Sequence, residues 1–261
     1  MAAAAAQLGV NVNDVEEFTR VMIDMGVSTN MTAEQAATSM QRFANVMGTP
    51  TEEMRNLGSA VVDLGNNSAT TESEIMDMAQ RIAGAGTAFN MSEGDVLGLA
   101  TALTSVGVAS AAGGTAVSRM MYDINDAVTS GGESLEGFAD VVSMAADEFS
   151  NLWQEDSAAA LEAFVVGLGE AAEQGTSVQE SLSELGVTEQ RTIMAFTNLA
   201  SINDMLSDSM ERGNEAFGDA TALGEEATST TPSPPRCAPS GPTSRTRPSP
   251  SVRRSSQPLR V

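Results

Sequence analysis

From residue 10 to about residue 225 one punctuation recurs: an apolar-periodic stretch of about 12 to 18 residues ends in Gly, a short polar turn follows, and Ser or Thr opens the next stretch. Gly supplies the left-handed residue after a helix, and a Ser or Thr hydroxyl accepts the orphan amide of the next first turn. Within the stretches the apolar spacing is that of a helix face: Phe18, Val21, Met22 and Met25; Met54, Leu57, Val61 and Leu64; Ile75, Met78 and Ile82. No segment alternates with period two over a useful length, so strands have no support. The pattern predicts an all-α chain of about ten short capped helices packed as hairpins or a bundle. They are expected over about 13–25, 32–47, 50–64, 71–84, 92–106, 114–128, 134–154, 157–173, 177–185 and 188–222.

The sharpest start is Gly48-Thr49-Pro50-Thr51-Glu52, with Thr49 placed at the N-cap, Pro50 at the first helical position and Glu52 closing a capping box. Thr32 with Gln35, Thr71 with Glu74, and Ser92 with Asp95 occupy similar starts. Gly107, Gly113 and Gly114 read as a hinge between two helices inside the longest uncharged run, Val96 to Ser118. That run is long enough to span a bilayer, but its glycines and hydroxyls favour a soluble helix pair.

The apolar side rests on Ala, Val, Leu and 16 Met, with only one Trp, one Tyr and eight Phe. Methionine fills irregular gaps without fixing one arrangement, so the expected core is thin and adaptable. Phe149 and Trp153, one turn apart, are the best candidates for an anchor against a partner or another helix. Met120 and Met121, beside Tyr122, form a second candidate face.

Charge divides the chain. Residues 1–227 hold all 35 acids against seven Arg, a net −28, whereas residues 228–261 hold six Arg and no acid. The acidic region repels phosphate, which excludes general nucleic-acid binding by that part. The last 34 residues also contain eight of the nine prolines, a mixture expected to form a disordered tail after a helical module over 1–227. The switch at Ala227-Thr228 has no turn chemistry leading into it, and an out-of-frame read of a GC-rich gene would produce such a tail. Sequencing the gene in all three frames tests this.

No His is present and the one cysteine is Cys237, so a Ser–His centre, a thiolate–imidazole pair and a Cys/His zinc site cannot be built from one chain. Glu72 with Glu74 could be imagined as an acid/base pair, but both stand in a predicted first turn, where carboxylates offset the helix dipole. Asp147 and Glu148 are helix neighbours that do not face one another. Asp63 with Asn66-Asn67-Ser68 lacks cation-loop spacing, and Gly84-Ala85-Gly86 follows no strand and precedes no Lys. No catalytic residue, metal, cofactor or small-molecule substrate is therefore expected.

Several runs, in order, resemble the core region of phage tail tape-measure proteins from long-tailed phages and prophages. They are Glu17-Phe18-Thr19-Arg20-Val21-Met22 with Gly26-Val27-Ser28-Thr29-Asn30; Leu64-Gly65-Asn66-Asn67-Ser68 through Ile75; Arg81-Ile82-Ala83-Gly84-Ala85-Gly86; Met91-Ser92 through Leu99-Ala100; Ser105-Val106-Gly107-Val108; Gly113-Gly114-Thr115-Ala116 with Ser118-Arg119; Glu148-Phe149 with Trp153; and Leu185-Gly186-Val187. The resemblance covers about residues 8–225. It implies a structural assembly protein that occupies the tail-tube lumen and sets tail length, found in the virion tail and, during assembly, in the bacterial host cytoplasm. Its implied partners are further copies, tail-tube subunits and assembly chaperones. Family members tend to be longer, so the chain is expected to be a piece starting at an internal Met. Three other readings stand beside it. A peptidoglycan-hydrolase segment would give a lytic band on a zymogram. A membrane-active segment would float with liposomes through residues 96–118. A generic acidic adaptor would lack tail genes as neighbours.

Overall fold

In a computed structural model, which describes residue 10 and residues 14–230, the described residues form helices joined by short turns. Thirteen α-helices and one 3-10 turn occur among the described residues, and no strand. They are α1 (Val15–Ser28), α2 (Ala33–Met47), the 3-10 turn Thr51–Glu53, α3 (Met54–Asn66), α4 (Glu72–Ala88), α5 (Glu93–Ser105) and α6 (Ser110–Ser130). Then follow α7 (Gly132–Val142), α8 (Ala146–Glu155), α9 (Ser157–Glu173), α10 (Val178–Glu184), α11 (Gln190–Ala200), α12 (Asn203–Asp219) and α13 (Ala222–Thr230).

Three expected capping boxes form in full, at Thr32–Gln35, Thr71–Glu74 and Ser92–Asp95. In each, the hydroxyl accepts the amide three residues on, while that residue's side chain accepts the cap's own amide. Gly48 (φ 84°) and Gly107 (φ 74°) take the left-handed conformation that ends or follows a helix, as their spacing suggests.

The start expected at Thr49 differs. Pro50 is extended and leads into the 3-10 turn, so α3 begins only at Met54. The Thr49 hydroxyl donates to Glu93 Oε1 at 2.7 Å instead of capping its own helix. A tertiary acceptor has displaced a local one.

Two expected helices are broken. The stretch 134–154 divides at Ser143, which sits at φ 58°, with Met144 N donating to Ala139 O at 3.0 Å. This reversal lets Phe138 pack against Phe164 and Trp153 against Phe89, two contacts on different helices. The stretch 188–222 divides at Ser201–Ile202 and again at Ala220, which sits at φ 54°. The last helix runs to Thr230, three residues beyond the composition change at 227/228, and Thr228 Oγ1 donates to Gly224 O at 2.7 Å. The disorder expected for the remainder, residues 231–261, lies outside the described residues.

Helix α4 sits among α2, α3, α5 and α6, and α9 among α7, α8, α10 and α11. Helix α6 joins the two groups by packing on α4 and on α11 and α7. From the far end of the sequence, α12 packs chiefly on α5 and α3, and α13 on α1 and α3. Met22, Met25, Met40, Met54, Met76, Met78, Met120 and Met121 are fully buried beside six Phe side chains. Each such side chain contributes about 1.5–3 kcal/mol on leaving water, and methionine does so without demanding one shape.

Candidate functional site

The anchors expected from the sequence divide by burial. Phe149, Met120 and Met121 are 0% exposed and Trp153 4%, so all four hold the helices to one another. Tyr122, adjacent to Met121 but turned outward on α6, is 49% exposed. It is the outer member of an aromatic cluster: its ring lies 5.1 Å from Phe89, edge to face, and Phe89 lies 5.4 Å from Trp153. Ser157 Oγ donates to the Phe89 carbonyl at 2.6 Å and fixes the end of α4 against α9. Tyr122 thus packs part of its ring on Phe89 and leaves about half of its surface exposed. Phe89 was not among the sequence candidates; its partners lie 33 and 64 positions away, beyond any local signal.

The turn between α5 and α6 falls at Gly107. Gly113 and Gly114 are instead inside α6 and buried. A Cβ at Gly113 would meet Met78 Cε at 2.7 Å, and one at Gly114 would meet Arg81 Cβ at 2.5 Å. These two glycines let α6 lie close on α4, and the bend expected of them is carried by Gly107.

The acidic candidates are engaged in structural contacts. Glu74 Oε2 accepts from the Thr71 hydroxyl at 2.8 Å and from the Thr71 amide at 3.1 Å. The Thr71 hydroxyl and amide hold this carboxyl below its ordinary value of 4.5, which unfits it as a general acid. A group held low in the fold stabilises it above its ordinary value, and that contribution disappears as pH falls through the folded value. Acidification from about pH 5 to about pH 3 is therefore expected to destabilise the native chain more than Glu74→Gln, which keeps the capping box without titrating. Equal losses in thermal melts across that range would refute this.

Asp63 accepts from Asn67 Nδ2 at 3.2 Å and pairs with Arg212 at 3.3 Å, so the loop that faintly resembles a cation site is closed by its own chain. No group of three or more His, Cys, Asp or Glu able to hold a metal ion occurs among the described residues. Gly84 and Gly86 lie inside α4, their amides within the helix ladder, where they cannot cradle a phosphate.

Asp123, on α6, is pushed up from 3.8 by burial; Arg119 opposes this, while Asp126 and Glu189 add to it. For a carboxyl raised in the fold, the sign reverses: stability is fullest below its ordinary value and declines as pH rises through the folded one. Asp123→Asn is expected to raise the thermal midpoint at neutral pH, with the gain fading in acid. A lowered midpoint at neutral pH would contradict it.

An open groove of about 660 Å³ runs between α2 and α4, past Gln35, Thr38, Ser39, Arg42, Asp77 and Gln80. Thr38 and Ser39 donate their hydroxyls to the carbonyls of Glu34 and Gln35, one turn back in the same helix. The groove's lining is mixed, with Met31 and Met76 beside the polar side chains. Among the described residues no helix is long and apolar enough to cross a membrane, and the uncharged run 96–118 is divided between α5 and α6.

A family model described as phage-related minor tail protein matches residues 1–145, more than half of the chain. No curated protein and no solved structure matches it.

Proposed function

Since the chain belongs to the family of phage-related minor tail proteins, we propose that it acts as a compact helical module of a tail tape-measure protein. The family match carries this reading, and the ordered resemblance over about residues 8–225 supports its finer part. The module contributes packing surfaces to the tail, with other copies, tail-tube subunits and an assembly chaperone as partners. Its places are the virion tail and, before that, the cytoplasm of the bacterial host.

A ruler of tail length works because a helix rises about 1.5 Å per residue, so that chain length becomes tube length. The longest helix among the described residues is α6 at 21 residues, about 32 Å, and it is folded back among its neighbours. The ruler rod therefore lies in another part of the tape, and this module supplies a folded block on it. Tyr122 is its most exposed aromatic contact.

The test is genetic. A phage whose tape gene carries an in-frame deletion of codons 14–230 should yield heads with absent or aberrant tails in electron micrographs. Mass spectrometry of purified wild-type virions should find peptides of the module. Normal tails in normal numbers from the deletion phage would end the proposal.

A further inference from the structure

Residues 120–190 hold 15 Asp and Glu and no basic residue. Helices α7 to α10 lie wholly inside that stretch, so each carries carboxylates with no cation of its own. A cavity of about 300 Å³ opens where three of these helices end. Asp140 reaches it from the last turn of α7, Glu170 from the last turn of α9, and Glu184 from the last residue of α10. Close backbone approach makes the ends converge. A Cβ at Gly167 would stand 2.2 Å from the Val141 carbonyl oxygen, and one at Gly137 2.9 Å from Leu185 Cδ2. The C-terminal end of a helix carries about half a negative charge, and none of these three last turns holds a basic side chain to offset it.

The acceptors around the cavity are free. Among the described residues, none of the three carboxylates forms an ion pair or a side-chain hydrogen bond. Ser181, one turn before Glu184, also lines the cavity; the residue is 6% exposed, yet its hydroxyl has no hydrogen-bond partner. Ser183, two residues on, donates to the Gln179 carbonyl at 2.6 Å, the usual outlet for a helical hydroxyl. Ser181 leaves that outlet unused.

The three carboxylates stand on three helices, and no group able to hold a metal ion forms among the described residues. The cavity suits a larger cation that spreads its charge over several donors. Guanidinium presents five N–H donors in one plane and is more weakly hydrated than ammonium, so it enters a partly apolar site at lower cost. We propose that this cavity is the docking site for an arginine side chain of a partner protein. Its guanidinium is taken by Asp140, Glu170 and Glu184, with Ser181 as a further acceptor, and its stem lies against Val141 and Leu185. The site does not depend on the tape-measure reading.

The probe is N-acetyl-arginine amide, whose one charge is the guanidinium. It is titrated into the isotope-labelled full-length chain at constant ionic strength and followed by amide NMR shifts. Saturable shifts confined to residues 137–143, 167–174 and 181–185 are expected. N-acetyl-lysine amide should bind about threefold more weakly, and magnesium should give no localised shift. The triple variant Asp140→Asn, Glu170→Gln, Glu184→Gln should bind the arginine probe about tenfold more weakly with its circular dichroism unchanged. Ser181→Ala, which keeps all three charges, should weaken binding about twofold to threefold. The absence of a saturable shift, shifts spread over acidic helix faces throughout the chain, or equal affinity for magnesium or putrescine overturns the proposal. So does a triple variant that binds the probe as tightly as the native chain.

Discussion

Gly98→Leu is expected to lower the unfolding free energy by about 3 kcal/mol, read from urea denaturation followed by far-UV circular dichroism. The obstacle is main chain: the new Cβ would stand 2.5 Å from both Met210 Cα and Ser209 O. No rotamer relieves a clash that begins at Cβ, so α5 and α12 must separate and give up dispersion along the whole seam. Gly84→Ala provides the contrast, because nothing lies within 4 Å of the atom it adds in the middle of α4. That change should stabilise the chain by about 0.5–1 kcal/mol through lower backbone entropy in the unfolded state. A Gly98→Leu chain as stable as the native one would show that the seam is not as tight as described.

Phe164→Ala is expected to cost about 3–5 kcal/mol, the range for removing a buried aromatic ring. Phe164 is 0% exposed and stands between Phe138 at 5.3 Å and Phe196 at 6.1 Å, so one ring joins α7, α9 and α11. The neighbours come from three helices and cannot all move into the space. Methionine-rich cores relax around deletions, but no Met lies in this aromatic row, which puts the loss toward the upper end. A thermal melt showing a fall of only one or two degrees would indicate that the second helical group collapses to fill the cavity.

Fold class was open to reading from the sequence because its signals are local. Thr32, Thr71 and Ser92 each meet their partner three residues on, and Gly48 and Gly107 adopt left-handed backbone without help from elsewhere. Where tertiary contacts outweighed local chemistry, the sequence misled. Thr49 bonds to Glu93, and Ser143 reverses the chain with no Gly or Pro beside it. Gly113 and Gly114 show the same limit, since a glycine that permits flexing and one that permits close approach have the same letter in a sequence. Of the candidate contact residues, composition identified aromatics and methionines, but their exposure depended on packing partners such as Phe89 that no spacing rule connects to Tyr122.

The surface on α3 and α5 that receives α12 and Leu223 is complete once residue 105 has been made, yet what covers it lies about a hundred codons downstream. At about 5–20 residues per second, a ribosome leaves that surface bare for roughly 6–25 seconds on every nascent chain. Each chain must pass through this interval in a crowded cell without sticking to its neighbours. An escort that holds the growing polypeptide until its last helices emerge would have most to bind during that delay.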